Sequence, residues 1–261
     1  MKKWIVLLFA LSLYARMHKV QLQPYEIYSL KAAVAAQVLD SRIDLEGSSV
    51  HDSLILHLDD RLDQESLRRL NAKKKNLSQI IATDKEQLET LQKIASIKRR
   101  DYERIKDLAT KSLVEKERRL SDYLGAKRAA LAQKAQLQSH RSQLQDIELS
   151  IARTKDAIQK KRIKVSGYLY KIYVKKGDFV NPGTLMAQVA DTSRAKAVLY
   201  LSREELKDLK KKAIYIDGKR TDLRFSKILK IPDTTHLGEY RAELVLPAPK
   251  IFGKFITVEI K

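Results

Sequence analysis

Val165-Ser-Gly-Tyr-Leu-Tyr-Lys-Ile-Tyr-Val-Lys-Lys-Gly-Asp-Phe-Val-Asn-Pro-Gly-Thr-Leu185 is the stretch from which the rest of the chain can be read. Its apolar residues Ile172, Val174, Val180 and Leu185 are spaced as in short strands, and Gly177-Asp178 and Pro182-Gly183 place turn residues between them. A fainter counterpart lies far upstream, through Val38, Ile43, Leu45, Gly47-Ser-Ser-Val50 and Leu54-Ile-Leu56. Two half-modules so far apart imply that the segment between them is an insertion, its ends brought together by one small β domain.

That segment, residues 61–162, reads as helix throughout. With Leu67 as position a and Leu70 as d, the core sites hold Leu67, Leu70, Leu77, Ile81, Leu88, Leu91, Ala95, Tyr102, Ile105 and Ala109, interrupted by Lys74, Asp84 and Lys98. A 3.5-residue apolar period sustained this long marks a coiled-coil helix. From Leu113 a second series repeats every seven residues through Tyr123, Ala130, Leu137, Leu144, Ile151 and Ile158, with weaker partner sites at Ala126, Gln133, His140, Ile147 and Thr154. Between Arg61 and Arg162 there is no proline, and Gly125 is the one glycine, so only a short turn near Lys111-Ser112 separates the two helices. Ser112-Leu-Val-Glu115 has the form of a reciprocal capping box and starts the second helix. At 1.5 Å per residue, arms of nearly fifty residues make a spacer roughly 70 Å long.

The formal net charge of +20 raises nucleic acid or an anionic membrane as partners. The charge is distributed, however: residues 61–162 carry 26 Lys+Arg and 14 Asp+Glu along their whole length. The pattern is that of a solvated coiled-coil surface rather than a nucleic-acid-binding arm. At the start, Met-Lys-Lys precedes an apolar run from Trp4 to Ala15 closed by Arg16. Its length suits the core of an export signal and falls short of the ~20 residues that span a bilayer. Residues 1–20 are therefore expected to be a signal sequence or N-terminal anchor. With no cysteine there is neither a disulfide framework nor a site for an acyl anchor.

With these motifs in place, the chain resembles the periplasmic adaptor, or membrane fusion protein, family of tripartite efflux systems, the HlyD-like secretion proteins. Ser166-Gly167, Lys176-Gly177-Asp178-Phe-Val180 and Pro182-Gly183-Thr-Leu185 match that family's second lipoyl half, with Gly167, Gly177, Asp178 and Gly183 as turn residues; Gly47 and Val50 remain of the first. The resemblance implies an α+β fold: a long antiparallel coiled-coil hairpin (61–162) inserted between two halves of a lipoyl-like domain (21–60 and 163–192), followed by a small adaptor β-barrel (193–261). In that barrel Ala197–Leu201 reads as a strand, Arg203–Lys212 as a short helix, Ile214–Gly218 as a strand entering a turn, and Phe225–Ile231, Tyr240–Leu246 and Phe255–Ile260 as further strands. The sequence stops where the barrel of the family would close, which implies a compact form.

The resemblance also supplies partners: an inner-membrane transporter of ABC, RND or MFS type, an outer-membrane channel of TolC type, and copies of the chain itself in a ring, six by analogy. It implies a location in the periplasm at the inner membrane. Adaptors that meet such a channel carry Arg-x-x-x-Leu at the hairpin tip followed seven residues later by Ser or Thr. Arg104-Ile-Lys-Asp-Leu108 matches the first part, while Glu115 occupies the hydroxyl position close to Ser112. Arg104, Leu108, Ser112 and Glu115 are thus the candidate partner-binding residues. The competing reading is a structural coiled-coil protein of the cell envelope with no transport role.

Catalytic chemistry is not expected. The inserted hairpin removes the tight turn that would present a lipoylated or biotinylated lysine. His18, His51, His57, His140 and His236 have no metal-site spacing, and Met1, Met17 and Met186 form no cluster. Neither a phosphate loop nor a nucleophile elbow occurs. No cofactor or metal follows from the sequence, and the chain reads as a non-enzyme.

Overall fold

The computed structural model describes residues 16–261. The described residues form two compact units: one mostly of strands, comprising residues 16–32, Asp40–Ile55 and Lys164–Lys261, and one containing the two long helices, Ala33–Leu39 and Leu56–Ile163. The elements in chain order are β1 (Met17–Gln21), β2 (Gln23–Lys31), β3 (Ala36–Ser41), β4 (Ser49–Leu58), α1 (Arg61–Ile105), α2 (Leu113–Lys161), β5 (Arg162–Ile172), β6 (Phe179–Val180), β7 (Leu185–Leu201), α3 (Arg203–Leu206), β8 (Ile214–Ile216), β9 (Lys219–Thr221), β10 (Phe225–Ile228), β11 (Tyr240–Pro247) and β12 (Phe255–Ile260), with short 3-10 turns at Ile43–Leu45 and Leu209–Lys211. This is the α+β architecture expected, a long helical hairpin inserted in a β domain.

In the helical unit, Leu77, Ile81, Leu137, Ile147 and Ile151 form a buried seam, flanked by half-buried Leu67, Leu70, Leu88 and Leu144. These are the heptad sites of both series. The three polar interruptions in α1 are filled from α2. Lys74 Nζ lies 2.8 Å from Glu148, and Lys98 Nζ lies 3.7 Å from Asp122. Asp84, only 4% exposed, is 2.6 Å from His140 Nδ1 and accepts from Gln133 Nε2 at 3.0 Å. Gln133 and His140, the weak sites of the second series, are thus the partners of the polar site in the first. At the open end of the hairpin, buried Asp60 accepts from Gln64 Nε2 and Arg162 Nε, each at 3.2 Å, and Lys161 Nζ donates to Asp63 at 2.6 Å. Ala109, counted in the heptad series, is exposed, because α1 ends at Ile105.

In the strand unit, the two lipoyl-like halves meet through backbone. Gly47 N–H donates to the Leu169 carbonyl at 2.8 Å, and Leu169 N–H donates to the Ser48 carbonyl at 2.9 Å. The Glu46 carboxylate accepts from the Ile172 N–H at 2.5 Å, and Ser166 Oγ accepts from the Asp52 N–H at 2.9 Å. Gly167 has φ +132°, and a Cβ there would stand 2.9 Å from Val189 Cγ1 and 3.0 Å from the Ala190 carbonyl oxygen, so only glycine lets β5 approach β7 this closely. Gly177 (φ +96°) reverses the chain in the next turn, where the Asp178 carboxylate accepts from the Lys175 N–H at 2.7 Å. Gly183 donates to the Ala32 carbonyl at 2.8 Å.

Beyond the lipoyl-like part, the pairings β1-β12-β8-β9 and β10-β11-β7 enclose one core. Along β7, Ala195, Ala197, Leu199 and Leu201 are buried in strict alternation, the period of a strand with one face inward. They pack with Ala242 and Leu244 of β11 and Val258 of β12.

Three sequence boundaries move. Met17–Gln21, overlapping the end of the segment 1–20 expected as a signal or anchor, is strand β1, paired antiparallel with β12 from Met17↔Glu259 to Gln21↔Phe255. Residues 1–15 of that expected segment lie outside the described residues. The strand that flanks β12 thus comes from the other end of the chain, and β12 is an inner strand between β1 and β8. The division at 192/193 falls within β7. Asp191-Thr-Ser193 carries turn residues, and Asp191 Oδ1 does accept from the Ser193 N–H at 2.9 Å; the pairing with β2 shifts register at this place, from Pro24↔Ala195 to Glu26↔Asp191, so the segment is an irregularity within β7 rather than a break between two strands. The helix expected over Arg203–Lys212 is cut to α3 and a 3-10 turn by Lys207, which is extended (φ -63°, ψ 129°), and Asp208, which adopts a left-handed conformation (φ 52°).

Candidate partner-binding site at the hairpin tip

The tip is built by the end of α1, the turn 106–112 and the first turn of α2. The turn is tightened by hydrogen bonds from Leu108 N–H to the Ile105 carbonyl (3.1 Å) and from Lys111 N–H to the Leu108 carbonyl (3.3 Å). Ser112 is the N-cap of α2, its hydroxyl accepting from the Glu115 N–H at 3.2 Å. The reciprocal half of the expected capping box is not formed, since the Glu115 carboxylate binds Lys111 Nζ at 3.2 Å instead. An ammonium four residues away outcompetes a neutral backbone donor for that carboxylate.

Of the sequence-derived site residues, Arg104 and Leu108 are presented to solvent. The Arg104 side chain is 76% exposed, its guanidinium no nearer than 3.9 Å to Asp101, which leaves its donors available. Leu108 is 46% exposed. Ser112 and Glu115 are engaged within the turn, so their contribution is to shape it. Beside them, Lys106 Nζ lies 2.6 Å from Glu103. The Lys106 hydrogen bond holds the Glu103 carboxyl below its ordinary value, and Glu103 in turn pushes the Lys106 ammonium up.

Two residues missed from the sequence complete the surface: Leu113, 70% exposed, and Val114, 75% exposed. With Leu108 they make an apolar end to a hairpin whose other free positions are mostly polar or charged. The signal was in Ser112-Leu-Val-Glu115 itself. Apolar residues at the first two positions of a helix, before its heptad series begins, have no seam to enter.

Among the described residues no group of three or more His, Asp or Glu side chains is arranged to hold a metal ion, and no helix is long and apolar enough to cross a membrane. No family model matches the sequence, and no curated protein matches it. Solved structures do. MacA from Actinobacillus actinomycetemcomitans aligns over 94% of this chain and 78% of its own, with a TM-score of 0.61 and 15% identity. The membrane fusion protein Spr0693 from Streptococcus pneumoniae R6 aligns over 95% and 99%, with a TM-score of 0.57 and 12% identity. A MacA–MexA chimaera carrying the α-hairpin of Pseudomonas aeruginosa MexA aligns over 94% and 80%, with a TM-score of 0.55 and 13% identity. The hairpin and its flanking β modules therefore have the architecture of these proteins.

Proposed function

We propose that this chain, whose fold is that of a membrane fusion protein, is a non-catalytic periplasmic adaptor of a tripartite efflux or secretion system. In this reading it joins an inner-membrane transporter to an outer-membrane channel of TolC type. The observation that supports it most is the tip: Arg104 with free donors beside exposed Leu108, Leu113 and Val114, at the end of a helical hairpin with a polar-paired base. Exposed apolar residues clustered with an arginine are what a partner groove takes up. Work in such an assembly is done by geometry. The lipoyl-like and barrel parts would pack side by side in a ring, six copies by analogy, and the hairpins would engage the channel.

The test is site-specific photocrosslinking in the cell that expresses the chain. A crosslinker at Leu108 or Val114 is expected to capture one outer-membrane channel protein, and a crosslinker at Ser139, midway along α2, is not. Arg104→Glu should reduce the Leu108 capture several-fold with the hairpin still folded. If the tip captures no channel, the adaptor reading fails and a structural coiled coil of the envelope takes its place.

A further inference from the structure

The strand unit carries a cleft of about 910 Å³ between α3, the 3-10 turn at Leu209–Lys211 and β10. Its volume is in the range of sites for small organic ligands. The floor is aliphatic and aromatic: Leu206, Leu209, Ile214 and Phe225, of which Ile214 belongs to the barrel core and the other three pack against it. A floor backed in this way is held in place before any ligand arrives. Ile228 and Leu229, 39% and 37% exposed, extend it toward solvent.

The rim is cationic. Six of the lining residues are lysine or arginine, and Asp208 is the single carboxylate. Asp208 is taken up by Lys211 at 3.1 Å, and Lys212 Nζ is occupied by the carbonyls of Glu204 and Glu205 at 3.3 and 2.9 Å. Arg224 finds only the neighbouring Leu223 carbonyl, at 3.4 Å. Arg203, Lys210 and Lys230 line the cleft with no acceptor or carboxylate among the described residues. Two residues produce the arrangement: Lys207, extended, ends α3, and the left-handed Asp208 turns the chain into the 3-10 turn, so that Leu209 joins the floor while Lys210 is left on the rim.

An apolar floor with an uncompensated cationic rim defines its occupant by two demands at once. The floor gives nothing to inorganic phosphate or to a sugar, and the rim gives nothing to a neutral alkyl compound. We propose that this cleft binds a single-chain amphiphilic anion, an alkyl chain bearing a phosphate or carboxylate, with the chain on Leu206, Leu209, Phe225 and Ile228 and the head group among Arg203, Lys210 and Lys230. The occupant is the free amphiphile, not the surface of an intact bilayer, because the demand is for one chain in a concave site. The inference rests on the cleft alone and is independent of the adaptor reading. A hairpin that captures no channel would leave it intact.

The experiment is calorimetric titration of the full chain with dodecyl phosphate below its micelle concentration. Saturable binding of one molecule per chain is expected. Arg203→Ala/Lys210→Ala/Lys230→Ala together should weaken it at least tenfold, and Ile228→Asp should do the same from the floor. A control triple variant on the hairpin, Lys73→Ala/Lys75→Ala/Lys93→Ala, should leave it unchanged. All these side chains are exposed, so circular dichroism should find every variant folded. Dodecyl maltoside and inorganic phosphate should each bind at least tenfold more weakly than dodecyl phosphate. Equal binding of either one, indifference to the rim variant, or binding only to vesicles of an anionic phospholipid would overturn the proposal.

Discussion

At the residue scale, Gly167 carries the heaviest constraint in the strand unit. Its φ of +132° is outside the range of L side chains, and the space for a Cβ is already taken by Val189 Cγ1 and the Ala190 carbonyl oxygen. Backbone strain of this kind costs on the order of 1–3 kcal/mol before any clash is relieved. Gly167→Ala is therefore expected to lower the urea midpoint of the strand unit markedly, while Gly125→Ala, in α2 with nothing near its Cβ position, should raise or preserve helix stability by up to about 1 kcal/mol. A urea series on both variants checks the contrast. In the sequence Gly167 reads as a turn residue, but it lies inside strand β5, and its real reason was not legible: β7 comes from about twenty residues further on, and nothing local to Ser166-Gly167 states how near it will come. Leu113 and Val114 show the converse. Their exposure follows from their position in Ser112-Leu-Val-Glu115 relative to the heptads, and it was legible there.

At the scale of elements, the hairpin was the most legible part of the chain, because a 3.5-residue period is written locally. What a single helix cannot state is the antiparallel register. Lys74, Asp84 and Lys98 read as defects in the first series, and Gln133 and His140 as weakness in the second, until the pairing sets Asp84 against Gln133 and His140, and Lys74 and Lys98 against Glu148 and Asp122. Polar rungs of this sort fix which residue faces which. Asp84→Ala should destabilise the hairpin by about 1–3 kcal/mol, because it leaves His140 and Gln133 without their acceptor. The double variant Asp84→Leu/His140→Leu should recover most of that loss or exceed the native stability, since replacing a buried polar pair with apolar side chains is often stabilising. Disulfide trapping between cysteines introduced at Ile81 and positions along α2 should then report more than one register in the double variant and a single register in the native chain. A single register in both would show that the apolar seam alone sets the alignment. The capping boxes divide in the same way: Ser202-Glu205 forms both halves and Ser112-Glu115 only one, because Lys111 lies within reach of the second carboxylate. Ser202→Ala should cost about 1 kcal/mol and loosen α3, read as faster amide exchange at Glu205 and Leu206.

At the scale of the whole molecule, the carboxylates set the acid limit. Asp59 is held at about 2, below the usual 3.8, by hydrogen bonds from the Arg61 side chain and backbone N–H. Glu205 is pushed up by burial, but hydrogen bonds from the Ser202 backbone and His18 outweigh this and leave it below 4.5. Asp60 is likewise pushed up by burial and brought below 3.8 by Gln64, His57 and Arg162. A carboxyl whose folded pKa is depressed adds stability above its unfolded value and loses it as pH falls through the folded one. The urea midpoint should thus be nearly flat from pH 7 to about pH 5 and fall steadily between about pH 4.5 and pH 2. Protonation also adds to a net charge already at +20, so moderate salt should soften the fall. A midpoint independent of pH down to pH 2 would show that these pairs persist equally in the unfolded chain. The charge was legible only along the helices: over residues 61–162 it read as a solvated coiled-coil surface, whereas Lys210 and Lys230 become one rim only once β10 is folded against the 3-10 turn.

The seventeen residues of β7 have a mechanical consequence. One unbroken strand is laddered to β5 and β2 along its first part and to β11 along its last, so the lipoyl-like fold and the barrel share a girder rather than a linker. Tension applied to either is delivered to the other through continuous backbone, and the register shift at Thr192-Ser193 is the place along it where the ladders hold it least. A barrel excised at residue 193 would be cut through that girder, and its fragment would begin with an orphaned strand edge instead of a free end.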